Sequence, residues 1–240
     1  MNINFDSSIN VFTDASITNV NGKHVSSSGY IIVCNNQIVD AKYRIFYDST
    51  NNYGEIYALF MGVYAAIELA YKSGYAYRIN VLSDSQISVY GLRDWIFAWY
   101  KKLDHNYIMR SSSGIPVSNQ FIYKRIVKTI NYFRLPIHFY HQLGHMNNIS
   151  KDLKKVITTF KRVNKETIDE DLASKIIYYN NFVDKFTRNN LMSTTKSLVF
   201  NINNYKKEIE VINEVLTDED MDMYGMLINK TRGEVNKYVV

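Results

Sequence analysis

The sequence has a single cysteine, little proline and no long apolar run, and each shortage excludes a class of protein. Cys34 is the only cysteine in 240 residues, which excludes a disulfide framework and a cysteine-rich zinc site. A lone thiol predicts a reducing, cytoplasmic location. No stretch approaches the roughly 18 apolar residues of a membrane helix, and the N-terminus lacks a basic segment followed by an apolar run. We therefore expect a protein that is neither exported nor embedded in a membrane.

Aromatic residues are abundant where proline is scarce. The chain has 20 tyrosines and 12 phenylalanines against 2 prolines, which predicts a folded chain because disordered chains are poor in aromatics. Its net charge of +5 favours a polyanionic partner such as nucleic acid, although the same charge also suits a basic protein without one. The heavy use of Asn, Lys, Ile and Tyr indicates an AT-rich coding genome, as in a phage or a low-GC bacterium.

Hydrophobic periodicity predicts an α/β fold. Three β-branched runs at residues 11–16, 28–34 and 37–46 are separated by turn signals, Asn21-Gly22 and Asn35-Asn36. The period then changes to three and four, which predicts a helix from Thr50-Asn51-Asn52 to Gly74. The rest of this half predicts, in order, a strand at 78–83, a helix at 85–100, a helix at 119–133 and a strand at 136–140. Three antiparallel strands followed by alternating helices and strands indicate a mixed five-stranded sheet flanked by helices.

The second half of the chain reads as helical. Ser150 and Thr167 are candidate N-caps, and Thr167-Ile168-Asp169-Glu170 has the form of a capping box. A strand at residues 198–202 and an amphipathic stretch at 206–216 are also expected. These patterns predict a main domain over residues 1–195 and a C-terminal appendage of unknown role over residues 196–240.

Three acidic residues lie where strands end or helices begin. Asp14 interrupts the first strand, Glu55 opens the first helix, and Asp84 ends the fourth strand. Capping and the helix dipole could explain Glu55 and Asp84 without any function. They do not explain Asp14, since a charge inside a strand is costly unless it is paired or binds metal.

These positions match motifs of one family in type and order. Thr13-Asp14-Ala15-Ser16, then Thr50-Asn51-Asn52 with Glu55, then Ser83-Asp84-Ser85-Gln86 with a following Gly91 and two tryptophans resemble the first three motifs of the type 1 ribonuclease H family. A strand leading into Gly144-His145 resembles the segment before that family's mobile histidine loop. The resemblance runs unbroken from about Val11 to His145.

The resemblance implies a ribonuclease H fold and hydrolysis of the RNA strand of RNA/DNA hybrids. Asp14, Glu55, Asp84 and one later aspartate would hold two Mg²⁺ ions, with Mn²⁺ as a possible substitute, and the products would carry 5′-phosphates. Rival readings are an inactive module of this fold that only binds nucleic acid or a protein, and a resolvase or exonuclease on the same fold. The carboxylate set argues against the inactive module, while the Thr-Asn-Asn and Asp-Ser-Gln motifs favour hybrid cleavage.

The fourth carboxylate departs from the family pattern, which leaves two candidates. Asp152 follows the histidine loop closely but lacks the family's flanking residues. Asp184 is preferred because residues 180–188 match those flanks better, which makes residues 146–179 a helical insertion. Asn180 or Asn181 would then cap the final helix. One observation counts against Asp184: the helical pattern from Glu170 to Leu191 looks continuous, which would place this residue in the middle of a helix.

His145 resembles the loop histidine that assists proton transfer or product departure. His138 and His141 lie nearby, but the spacing of His141 and His145 lacks the glutamate of the helical zinc motif and follows a strand. The resemblance further implies substrate contacts from six residues: Thr50, Asn51, Asn52, Gln86, Lys101 and Lys102. For these, ordinary turn, cap or surface roles are the competing interpretation.

Overall fold

Two asparagine-rich turns build the antiparallel half of the sheet. They join β1 (Ser8–Val20) to β2 (Lys23–Cys34) and β2 to β3 (Gln37–Tyr47). Both central residues of each turn have positive φ, 51° and 80° at Asn21-Gly22 and 49° and 60° at Asn35-Asn36. Type I′ hairpins require this conformation, and asparagine and glycine adopt it most readily. The computed structural model describes residues 3, 5–74, 78–146, 149–196 and 215–228.

Helical crossovers add the parallel half of the sheet. α1 (Asn51–Ser73) leads to β4 (Arg78–Ser83), which lies parallel to β1. β5 (Ile137–His141) then pairs in parallel with β4, and the strand order is β3-β2-β1-β4-β5. The expected mixed five-stranded sheet is confirmed.

The helices between and after the strands follow the sequence pattern closely. The expected helix at 85–100 consists of α2 (Gln86–Tyr90), a π-helical turn (Gly91–Trp95) and α3 (Ile96–Tyr100). The remaining helices are α4 (Gln120–Phe133), α5 (Ile149–Asn164), α6 (Glu170–Lys196) and α7 (Asp218–Leu227). None of the helices in the described part of the chain is long and apolar enough to cross a membrane.

Helices cover both faces of the sheet. Alternate strand residues point to opposite faces, so Val11 belongs to the core under α1 and α4, while Phe12 belongs to the core under α5 and α6. Both side chains are fully buried. Because neither face of the central strands meets solvent, residues 8–15 of β1, 25–33 of β2 and 79–83 of β4 are all buried.

The helices of the second half of the chain correct three expectations. α6 is one continuous helix, so the idea that Asn180 or Asn181 caps a separate final helix is wrong. Its N-cap is Asp169, whose carboxylate accepts the Leu172 N–H at 2.8 Å, rather than Thr167. Ser150 lies inside α5 rather than before it. Ser, Thr and Asp are similar N-caps, and the sequence does not say which one the packed helix will use.

Part of the C-terminal segment packs on the main core. Leu216, Met221 and Tyr224 are buried in the cluster that also holds α1 and α4. The Tyr224 hydroxyl donates to the Leu92 carbonyl at 3.0 Å, and Ile228 bridges to Ile137 beside β5. The strand expected at 198–202 lies outside the described residues, as does the expected amphipathic stretch up to residue 214.

Candidate metal centre

The register of two parallel strands brings Asp14 next to Asp84. Thr13 of β1 pairs with Ser83 of β4, and each aspartate is the following residue in its chain. The two carboxylates therefore start from neighbouring positions at the carboxyl end of β4. The edge of an α/β sheet beyond the carboxyl ends of its parallel strands is where such folds commonly place their sites.

Glu55 reaches the same place from the start of α1. Thr50 is the N-cap of this helix, and its hydroxyl accepts the Tyr53 N–H at 3.2 Å. The side chain of Asn51 hydrogen-bonds the Glu55 carboxylate, and the backbone of Ala15 does so from β1. The first turns of the helix thus direct Glu55 toward the sheet.

The three carboxylates form one cluster. Oxygens of Asp14, Glu55 and Asp84 lie within 4.8 Å of one another. No other group of three or more His, Cys, Asp or Glu side chains in the described ranges converges closely enough to hold a metal ion. Asp14 and Glu55 are each only 6% exposed, so water screens their charges poorly.

Burial and mutual repulsion make the charged form of this cluster costly. Burial is the largest cause that raises the pKa of Asp14 to about 7, and the charge of Asp84 adds to it, while the Thr187 hydrogen bond opposes it. Burial, followed by the charges of Asp14 and Asp84, holds the pKa of Glu55 well above its usual range. Burial also raises the pKa of Asp84, and the positive charge of His145 opposes that rise.

The cluster fits a divalent cation. Glu55 Oε2 is buried and, among the described residues, has no hydrogen-bond partner. A buried polar atom left without a partner needs an explanation, and a bound ion is one. Carboxylate oxygens are the hard ligands that Mg²⁺ and Mn²⁺ prefer, and the site contains no thiolate. A cation would also stabilise the charged forms of all three carboxylates, which burial and neighbouring negative charges disfavour.

The loop that follows β5, residues 142–146, is the histidine loop, and it lies against Asp84. A Cβ atom at Gly144 would overlap Asp84 Oδ2, so only glycine permits this approach. The next residue, His145, is exposed, and its positive charge opposes the rise in the pKa of Asp84. His138 and His141 take no part in the carboxylate cluster. His141 Nε2 lies 3.1 Å from the Asp84 carbonyl oxygen, and the ring of His138 stacks on Tyr140.

Asp184 lies beside the cluster but is not one of its three members. Its charge contributes to the raised pKa values of Asp14 and Asp84. The side chain pairs with Arg188 at 2.8 Å, one turn later on α6. Together with His145, Asn181 and Lys185, this ion pair lines a cleft of about 340 Å³. Asp152 is a partly buried residue in the first turn of α5 and does not line this cleft.

The contacts that α6 makes with the site could not be predicted from the sequence pattern. Asn181 Nδ2 donates to the Met146 carbonyl at 2.7 Å, and Asn180 accepts a hydrogen bond from Gln142, so both asparagines hold the ends of the histidine loop. Thr187 donates to Asp14 Oδ2 at 3.0 Å. Asparagine and threonine within a helical pattern are usually read as surface residues, and only the packing of α6 on the sheet reveals these roles.

The six expected substrate-contact residues are all exposed. Thr50 and Asn51 have structural roles as well, as the cap of α1 and as a partner of Glu55. Gln86 begins α2 directly after Asp84 and Ser85. Asn52 lies in the first turn of α1, and Lys101 and Lys102 follow α3.

Comparison with solved structures gives distant similarities. A foamy viral protease-reverse transcriptase, solved in complex with an RNA/DNA hybrid, is 16% identical over 65% of this chain, with a TM-score of 0.49. The match spans only 20% of the viral chain. RNase H1 from the archaeon Halobacterium salinarum NRC-1 is 17% identical over 67% of this chain and 94% of its own, with a TM-score of 0.35. LC11-RNase H1, solved in complex with an RNA/DNA hybrid, is 14% identical over 67% of this chain and 96% of its own, with a TM-score of 0.39.

The family comparison is more direct. No curated protein matches the sequence. The family model for RNase H matches residues 6–169, which include all five strands, the three clustered carboxylates and the histidine loop. The mixed five-stranded sheet with its flanking helices is the fold that the resemblance implied. The chain belongs to the RNase H family.

Proposed function

We propose that this protein is a ribonuclease H that hydrolyses the RNA strand of RNA/DNA hybrids and leaves 5′-phosphate and 3′-hydroxyl ends. The convergence of Asp14, Glu55 and Asp84 within 4.8 Å carries the proposal. These residues come from two strands and a helix that are distant in sequence. A chain with only a structural role for the fold gains nothing from bringing three repelling carboxylates together.

The proposed cofactor is a pair of Mg²⁺ ions, for which Mn²⁺ could substitute. Divalent metal ions serve catalysis in the RNase H family. Two ions held by these carboxylates would supply an activated water and stabilise the leaving oxygen. Asp14, Glu55 and Asp84 would be the first three ligands, because their oxygens converge and Glu55 Oε2 has no hydrogen-bond partner among the described residues.

Asp184 is proposed as the fourth carboxylate. It lies on the helix that contacts Asp14 through Thr187. Its negative charge contributes to the raised pKa values of Asp14 and Asp84. Arg188 holds both of its oxygens, at 2.8 and 3.1 Å. To serve as a ligand, Asp184 would have to share its carboxylate with the cation or release Arg188.

His145 is proposed to assist proton transfer or product departure. It is exposed, lies in a loop over Asp84, and lines the cleft shared with Asp184. An exposed imidazole at this position can hold or release a proton near the site. The loop position would let the ring move without disturbing the sheet.

Substrate contact is proposed for the exposed residues around this edge of the sheet. Asn51, Asn52 and Gln86 would read the 2′-hydroxyls across the minor groove of the hybrid, which is wide and shallow. Thr50 would help to hold a phosphate of the DNA strand. Lys101 and Lys102 would contact phosphates without reading sequence, so cutting should show little base preference.

One experiment tests the proposed activity. The protein is incubated with labelled RNA/DNA hybrid, single-stranded RNA and duplex DNA, each with Mg²⁺ or with EDTA. We expect loss of the hybrid's RNA strand only, and only with Mg²⁺. Cleavage that survives EDTA would exclude the metal mechanism. Cutting of duplex DNA instead would favour a resolvase or exonuclease, and binding without cutting would favour an inactive module.

Substitutions test the ligands. Asp14→Asn should abolish cleavage, while the matched control Asp48→Asn, at an exposed residue after β3, should retain it. Asp184→Asn should lower the rate far more than Asp152→Asn. Full activity of Asp184→Asn together with a loss in Asp152→Asn would reverse the choice of the fourth ligand.

A further inference from the structure

Thr187 of α6 meets the candidate metal centre through one buried hydroxyl group. The residue has no exposed surface. Its Oγ1 lies 3.0 Å from Asp14 Oδ2, 3.0 Å from Ser16 Oγ and 3.0 Å from the carbonyl oxygen of Asp184. This hydroxyl thus joins β1, which carries Asp14, to the helix that carries Asp184.

The hydroxyl has a single proton, so its two acceptors compete. The Asp184 carbonyl is neutral, whereas the Asp14 carboxylate carries a charge when it is ionised. Hydrogen bonds to a charged acceptor are roughly twice as strong as neutral ones. Thr187 therefore donates to ionised Asp14, and its oxygen is free to accept from Ser16. The result is a directed chain from Ser16 through Thr187 to Asp14.

A glycine on β2 permits this contact. Gly29 pairs with Asp14 across the antiparallel ladder, so both residues face α6. A Cβ at position 29 would lie 2.5 Å from Thr187 Cγ2. The methyl group of Thr187 thus occupies the space that a side chain at residue 29 would fill. This close approach brings the threonine hydroxyl within reach of Asp14.

We propose that Thr187 is a positioning residue that acts through Asp14, orienting its carboxylate for cation binding and fixing it to the helix that carries Asp184. The inference rests on the proposed function, because it assigns Asp14 to a metal centre. Thr187 lies beyond residues 6–169, which match the family model.

Two matched pairs of variants isolate the hydroxyl group. Thr187→Val keeps the methyl group over Gly29 and replaces the hydroxyl group with a second methyl group. Thr187→Ser and Thr187→Ala both lack that methyl group and differ from each other only in the hydroxyl. If Thr187→Val fails to fold, the Ser and Ala pair still decides. Thr158→Val on α5 is the control, since it removes an exposed helical hydroxyl that donates to the Lys154 carbonyl.

The main measurement is binding of Mn²⁺ alone, followed by the electron paramagnetic resonance signal of the free ion, without nucleic acid. Loss of a hydrogen-bond partner of a metal ligand typically costs 10- to 100-fold in affinity. We expect Thr187→Val and Thr187→Ala to bind Mn²⁺ about 10-fold or more weakly than their hydroxyl-bearing partners. The Mg²⁺ concentration for half-maximal cleavage should rise in the same variants. Thermal unfolding is measured in parallel, and the two members of each pair should have similar thermal stability.

The outcomes separate this inference from the function on which it rests. Equal Mn²⁺ affinity within both pairs, in a wild-type protein that binds Mn²⁺ and cuts hybrid, would overturn the role of Thr187 alone. A wild-type protein that neither binds Mn²⁺ nor cuts would overturn the proposed function as well. A loss in the Thr158→Val control equal to that in Thr187→Val would also overturn the inference, because the effect would not be specific to the site.

Discussion

Asp14 is a residue whose charge opposes folding when no cation is bound. Its pKa in the folded protein is about 7, against 3.8 as the ordinary value. A raised carboxyl pKa gives stability that is complete below the unfolded pKa and is lost as pH rises through the folded pKa. Asp14 therefore destabilises the metal-free protein progressively between about pH 4 and pH 7.

The corresponding prediction concerns Asp14→Asn in EDTA. The substitution should stabilise the metal-free protein more at pH 8 than at pH 5, by about 3 kcal/mol, since about two pH units separate pH 5 from the folded pKa and each corresponds to about 1.4 kcal/mol. Denaturant titrations of both proteins at each pH measure this. The quantity compared is the difference in stability between variant and wild type. Burial lowers the pKa of His138 to about 3, which makes both proteins more stable as pH rises and cancels in that difference. A difference that does not change with pH would contradict the assigned pKa.

Gly144 gives a second prediction at this scale. Gly144→Ala would place a Cβ on Asp84 Oδ2, so either the carboxylate or the histidine loop must move. A misplacement of about 1 Å at a catalytic group can cost roughly 100-fold in rate. We expect hybrid cleavage to fall by about that factor while thermal stability changes little, because the loop can shift outward. An active Gly144→Ala enzyme would show that the loop need not approach Asp84.

The identities of the site residues could be read from the sequence, but their surroundings could not. Asp14 stood out because a charge within a strand needs a reason, and the motif order placed Glu55 and Asp84 with it. Thr187 carried no such signal. Its role depends on which face of α6 meets β1 and on the absence of a side chain at Gly29, and neither is encoded in local periodicity.

At the scale of elements, the hairpins and the central helices were predictable for a physical reason. Asn21-Gly22 and Asn35-Asn36 adopt positive φ, and β4 was predicted with its observed bounds. The start of α6 was harder to predict, because several residues that are good N-caps precede it. The helical pattern from Glu170 to Leu191 was real, and Asp184 does lie within a long helix.

The hydrogen bonds that Asn180 and Asn181 of α6 make with the histidine loop give a prediction for these two elements. Asn181→Ala removes the hydrogen bond to the Met146 carbonyl and should loosen residues 142–146. Hydrogen exchange of their amides should accelerate, with a global loss of only about 1 kcal/mol, the usual net value of one hydrogen bond. Asn190→Ala is the matched control, since its side chain bonds Phe186 within α6. Unchanged exchange in the loop would mean that Asn181 does not restrain it.

At the scale of the whole molecule, the described C-terminal segment shares the main core. Tyr224 is fully buried and donates to Leu92. Tyr224→Ala should lower the free energy of unfolding by about 3–5 kcal/mol, as large aromatic truncations do. Tyr132→Ala, at a residue that is 81% exposed, should change it by less than about 1 kcal/mol.

The same variant tests whether α7 unfolds with the sheet. Tryptophan fluorescence reports on Trp95 and Trp99, and far-ultraviolet circular dichroism reports on all helices. We expect both signals to shift together in Tyr224→Ala, because the side chain packs in the core shared by α1 and α4. A tryptophan transition that stays in place while some helical signal is lost earlier would make the segment a separate unit.

The position of α6 in the chain has a consequence during synthesis. Asp14, Glu55 and Asp84 leave the ribosome well before Thr187, and polypeptides generally begin to fold from the N-terminus. Until α6 has emerged, the side of β1 that bears Asp14 lacks its cover, and the nascent chain has neither Thr187 nor Asp184. Under the proposed function, the metal centre therefore reaches its final form only after α6 has emerged and packed on β1.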